Sequence, residues 1–173
     1  MTDWTEEIFW ISYGAVKVTC YQGERQDSRV AGLISASGPV RPPSRRPELG
    51  ETLTLAQRMV AEGRGLDLLP FGSTGRPETL SAQTLVDRGK SLVDVYGMED
   101  ADSPVSKVRC PLLVILGTEE PQIGSPDDLE RIKRNARSSR ADTALIEGAD
   151  HWYRGREEAV AQAILAWLAS LGT

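Results

Sequence analysis

The segment Pro111-Leu112-Leu113-Val114-Ile115-Leu116 constrains the fold of this chain more than any other. A strand with one face in water alternates apolar and polar side chains. An unbroken apolar run needs cover on both faces, as in the middle of a parallel sheet flanked by helices. The run is far shorter than the roughly 20 residues that cross a bilayer. Matching pieces lie on either side. Residues 7–11, 29–35 and 142–146 read as further strands, being short and apolar or β-branched. Residues 15–22 read as a helix ended by Gly23, and residues 52–62 as one closed by Gly63. Residues 81–96 place Leu85, Gly89, Leu92 and Val93 at helical spacing, with Ser81 as the cap. A helix over 126–137 opens on Asp127 and Asp128, which suit the positive end of its dipole. A last helix over 157–171 carries a stripe of Val160, Ile164, Trp167, Leu168 and Leu171. Residues 65–75 and the acidic stretch 97–106 read as loops. Strands alternating with helices predict an α/β fold with a parallel sheet.

The chain has 173 residues, 40% of them hydrophobic, enough for one compact domain over 1–173. Twenty-five acids against 20 bases leave a charge of −5, which disfavours nucleic acid as a partner. Arg41, Arg45 and Arg46 stand in a proline-rich stretch that reads as a solvated loop. The opening Met1-Thr2-Asp3-Trp4-Thr5-Glu6-Glu7 is acidic and lacks the basic start of a secretory leader. A cytoplasmic protein with no membrane segment is the expectation. Two cysteines, Cys20 and Cys110, and one histidine, His151, are too few for a cysteine or histidine metal centre.

Ligands of open parallel sheets bind at the carboxyl ends of the strands. Three polar groups fall at such ends. Ser12 stands between the first strand and its helix, Glu119 and Glu120 follow Gly117-Thr118, and His151 follows the last strand. Each alone has a plain structural role: a helix cap, a solvated turn and a structural imidazole.

Together, in the order serine, acid, histidine, they resemble the α/β-hydrolase family. Ser12-Tyr13-Gly14-Ala15 is similar to the second half of that family's strained Gly-x-Ser-x-Gly turn. Val114-Ile115-Leu116-Gly117-Thr118-Glu119-Glu120 is similar to the strand that delivers the acid three residues after its glycine, which selects Glu120. Gly148-Ala149-Asp150-His151 with Tyr153 and Gly155 is similar to the histidine loop, and Trp167-Leu168 to the end of the terminal helix. Residues 61–65 and 81–83 are similar to esterase-like bacterial and fungal members.

The resemblance implies a serine hydrolase acting on a small-molecule ester, with no metal and no organic cofactor. Ser12 would be the nucleophile, His151 the base, Glu120 the acid, and the Tyr13 N–H an oxyanion-hole donor. It also implies a partial α/β-hydrolase fold: a mainly parallel sheet, flanking helices and a cap-like helical insertion over 40–107. Within that insertion residues 66–71 either shape the acyl pocket or simply cover the sheet. Two departures stand out. Trp10 replaces the first glycine of the turn, which is expected to strain or reshape it. The strands that precede the turn in the family, with the loop that supplies a second oxyanion donor, are not in these residues. The expectation is therefore the carboxyl-terminal half of a longer hydrolase, its activity in this short form open. The alternative is a non-catalytic remnant that binds or self-associates, as a homodimer, through its exposed sheet edge.

Overall fold

The computed structural model describes residues 6–40, 50–74, 78–91, 94–120 and 124–172. Arg41, Arg45, Arg46, Leu92 and Val93 lie outside the described residues. Two compact units are distinguished: Met1–Arg41 with Asp94–Thr173, and Pro42–Val93.

The first unit is built on four parallel strands in the order β1-β2-β3-β4: β1 (Glu6–Ile11), β2 (Val30–Ala36), β3 (Leu112–Gly117) and β4 (Ala141–Ile146). Every residue of β3 is buried, as its unbroken apolar run requires. The pleat sends Leu112, Val114 and Leu116 to one face, where they meet Leu33, Val16, Leu129 and Ile132. Leu113 and Ile115 go to the other, against Ile34, Ile146, Val160 and Trp167. Each such side chain contributes about 1.5–3 kcal/mol of transfer free energy, an upper figure because the unfolded chain is not fully extended. The helices α1 (Tyr13–Arg25) and α5 (Pro126–Asn135) supply the first face, and α6 (Glu157–Ser170) the second. Asp127 and Asp128 stand in the first turn of α5, as the sequence suggested, and a reciprocal Ser125–Asp128 capping box starts the helix.

Three sequence expectations are corrected here. Gly23 does not end α1. The helix runs on to Arg25 and closes at Gln26, whose backbone is left-handed (φ 49°). Gly23 is there for space, because a Cβ would stand 2.6 Å from the Pro104 carbonyl oxygen. That carbonyl opens α4 (Pro104–Lys107), a short helix inside the stretch read as loop. The Gln26 side chain also donates to the Lys107 carbonyl. Helix propensity alone would make Gly23→Ala stabilising by up to about 1 kcal/mol. Overpacking against backbone outweighs it, so a net loss of about 1–3 kcal/mol is expected in urea unfolding.

The helix expected over 81–96 does not continue through 94–96. Asp94 accepts backbone N–H groups from Met98, Glu99 and Asp100, and Val95 and Tyr96 join the core of the first unit. Val105 and Val108 also pack into that core, leaving Pro42–Val93 as the second unit.

That unit contains α2 (Gly50–Ala61) and α3 (Ala82–Ser91), which bury Ala56, Met59, Leu69, Leu85 and Val86 together. Ser81 caps α3, its Oγ accepting the Thr84 N–H at 3.2 Å. Gly63 takes a left-handed conformation after α2. Leu66, Leu68 and Phe71 are exposed. Among the described residues no helix is long and apolar enough to cross a membrane.

Candidate active site

Ser12 follows β1 directly and occupies the cap position of α1 at φ 60° and ψ −131°, where side-chain-bearing residues are rare. A serine placed only to cap the helix would have extended backbone and a hydroxyl bonded to the first turn. Ser12 has neither, for its side chain makes no cap hydrogen bond. The turn is held instead by backbone: the Ser12 N–H donates to the Ala36 carbonyl at 2.9 Å, and the Ser12 carbonyl accepts from Ala15 at 3.1 Å. Tyr13 is the first residue of α1, so its N–H lies at the positive end of the helix dipole.

Trp10 is accommodated without dismantling this turn. Its indole lies over Gly14, where an added Cβ would stand 2.6 Å from the ring, and it is 54% exposed on β1. The close approach needed at this turn is therefore met by Gly14.

The acid and the base come from neighbouring strands. Glu120 is fully buried beyond β3 and its Oε2 lies 2.9 Å from Nδ1 of His151, which is 17% exposed beyond β4. Its other oxygen, Oε1, accepts the Gly117 N–H at 2.7 Å and the Ser37 hydroxyl at 2.5 Å. A buried carboxylate is tolerable only with such a full set of donors. Glu119 is exposed, so Glu120 is the one of the pair facing His151. Two backbone N–H groups tie the loops together: Glu119 N–H donates to the Ala149 carbonyl at 3.0 Å, and Gly148 N–H to the Thr118 hydroxyl at 2.8 Å. Gly117 permits this approach, since a Cβ there would meet the Ala149 oxygen at 2.3 Å.

The histidine loop is rigidified from within. Asp150 accepts the N–H groups of Arg154 and Trp152, which, Arg154 first, hold its carboxyl below the usual range. Tyr153, at φ 57°, turns inward, and its phenol oxygen lies 2.6 Å from Ser37 Oγ and 3.3 Å from the Ile115 carbonyl oxygen. Burial pushes that phenol well above its ordinary range, so it stays protonated.

The structure thus brings Glu120 and His151 into direct contact and sets Ser12 in a strained turn at the same, carboxyl-terminal end of the sheet. Among the described residues no hydrogen bond joins Ser12 to the ring. Nor do three His, Cys, Asp or Glu side chains gather as metal ligands among them. Ser37, a partner of Glu120, and Tyr153, the second partner of Ser37, were missed. Ser37-Gly38-Pro39 reads only as a strand stop, although a polar residue at the carboxyl end of a parallel strand is the same signal that singles out Ser12 and His151.

No protein-family model and no curated protein sequence matches the chain. Solved structures do match. A monoacylglycerol lipase from Paleococcus ferrophilus superposes with a TM-score of 0.63 at 18% identity, over 96% of this chain and 68% of that one. Est1E from Butyrivibrio proteoclasticus, with ferulic acid bound, gives 0.59 at 15% identity, over 95% and 59%. An esterase from Thermogutta terrifontis gives 0.56 at 24% identity, over 94% and 64%. This chain carries a partial α/β-hydrolase fold. It spans 68%, 52% and 57% of the length of three such structures, among them a Saccharomyces cerevisiae monoglyceride lipase and a Rhodothermus marinus esterase domain. The α/β-hydrolase fold accounts for the placement of the three residues. Successive parallel strands present their carboxyl ends on one side, so residues far apart in the chain meet there.

Proposed function

We propose that this chain carries the nucleophile, acid and base of a serine hydrolase acting on a small-molecule carboxylic ester. The observation that carries the reading is the buried Glu120 carboxylate hydrogen bonded to the part-exposed His151 ring. The strained, uncapped Ser12 supports it, as do the esterases and lipases that share the fold. With Nδ1 held by Glu120, the neutral ring leaves Nε2 bare to accept a proton. Ser12 Oγ forms a bond to the acyl carbon as its proton passes to Nε2, and the carbonyl electron pair moves onto oxygen. The Tyr13 N–H donates to that oxyanion, a contact of a kind whose loss costs about 3–4 kcal/mol. Collapse expels the alcohol, which takes the proton from the imidazolium. Water then attacks the acyl-Ser12 ester, His151 again accepting and returning one proton, and the carboxylic acid departs.

A fluorophosphonate probe tests the assignment, because it reacts only with an activated serine. Covalent labelling at Ser12, together with turnover of a short-chain p-nitrophenyl ester, is expected. A protein that neither labels nor turns the ester over would sink it.

A second reading is favoured by β1. Among the described strands it pairs only with β2, and it exposes Phe9 and Trp10. Such an edge offers unpaired backbone groups and apolar surface to another chain. Self-association through it predicts a dimer in size-exclusion chromatography with light scattering, dispersed by Trp10→Lys. A monodisperse monomer at high concentration would remove this reading.

A further inference from the structure

We propose that Ser37 and Tyr153 form a positioning pair that holds the Glu120 carboxylate so that only its Oε2 faces His151. The inference rests on the hydrolase reading above and adds two residues that do not touch the reacting atoms.

The geometry is specific. Glu120 Oε1 is occupied by two donors, the Gly117 N–H and the Ser37 hydroxyl, while Oε2 faces Nδ1 of the ring. Ser37 comes from the carboxyl end of β2, on neither the acid's loop nor the histidine's. Its second partner, Tyr153, lies two residues beyond His151. The Ser37 hydroxyl therefore ties three strand ends together: its own, the acid's and the base's. Without it the carboxylate would keep one backbone donor and could rotate, and the ring would lose a fixed partner.

Backbone strain points the same way. Ser37 (φ 47°) and Tyr153 (φ 57°) share with Ser12 a left-handed conformation that favours glycine. Neither is glycine, and both are buried and hydrogen bonded to each other. A strand stop needs only glycine at such a position. A serine and a tyrosine persist there where the surroundings over-determine them, as happens at functional sites.

The single histidine makes the test direct, because every imidazole signal in the spectrum belongs to His151. In the intact protein, 15N NMR of the neutral ring is expected to show the proton on Nδ1 and Nε2 bare. Ser37→Gly removes the hydroxyl while suiting the positive φ, so the fold is retained. It is expected to divide the ring between tautomers and to slow fluorophosphonate labelling of Ser12 by about 10- to 100-fold. Tyr153→Phe keeps the ring packing and should shift the spectrum in the same direction by less. The double variant should label no more slowly than Ser37→Gly alone, since both act through one carboxylate. A Ser37→Gly spectrum identical to that of the intact protein overturns the proposal, as does an intact protein already divided between tautomers. The spectrum decides this whether or not Ser12 labels. A fixed Nδ1–H ring in an intact protein that fails to label would overturn the hydrolase reading and leave the positioning pair standing.

Discussion

Replacing Ser12 by alanine is expected to abolish fluorophosphonate labelling and to lower ester hydrolysis on the order of 10⁶-fold, the loss seen when a serine nucleophile is removed from an intact triad. Stability should hardly change. Loss of a helix-capping hydroxyl costs about 1 kcal/mol, but the Ser12 side chain makes no cap hydrogen bond. Its removal should therefore stay within about 0.5 kcal/mol in urea unfolding. The pair of measurements separates the two roles a serine can have between a strand and a helix. A stability loss near 1 kcal/mol with unchanged labelling would make Ser12 a cap and nothing more.

Glu120→Gln should have the next largest effect, a fall of about 10⁴-fold in kcat with loss of stability. The amide matches the carboxylate in size but must place an NH₂ where one oxygen stood. If it replaces Oε1, it faces the Gly117 N–H and the Ser37 hydroxyl, two groups that now donate to that site. If it replaces Oε2, the ring must offer Nδ1 as an acceptor and carry its proton on Nε2, the nitrogen that should take the proton of Ser12. The first arrangement leaves buried donors opposed, at about 1–3 kcal/mol. The second has the wrong tautomer. Urea unfolding and ester kinetics read the two effects separately. Glu119→Gln is the control: its side chain is exposed, and both measurements should stay at wild-type values. Equal effects at the two positions would remove the assignment of the acid.

The elements most legible in the sequence are those whose pattern reports burial. The apolar run 112–116 is buried on both faces, and the stripe of α6 carries Val160 and Trp167 into the core. Glycine was the least reliable punctuation. Gly23 reads on paper as a helix stop and Gly117 as the start of a turn, yet at each another segment's backbone lies within 2.6 Å of where a Cβ would be. Nothing local records that approach. The acidic stretch 97–106 was misread for a related reason: Asp94 gathers its backbone N–H groups, and α4, which begins within it, packs against α1.

The same division holds at the site. Residue order, the glycine before the acid and the position of each polar group after a strand, matched to the α/β-hydrolase pattern, point to Ser12, Glu120 and His151 as candidates, since in a parallel sheet the chain order of strand ends is already a spatial statement. Tertiary structure decided what those groups can do. Glu120 is a buried partner of the ring, and Ser37, from β2, and the Gly117 N–H fill its other oxygen. The strain at Ser12, Ser37 and Tyr153 exists only where the surrounding turns are held by several strands at once. A sequence specifies which side chains stand at the ends of strands. Which donors and acceptors those side chains meet depends on contacts between segments distant in the chain, and these form only when the sheet assembles.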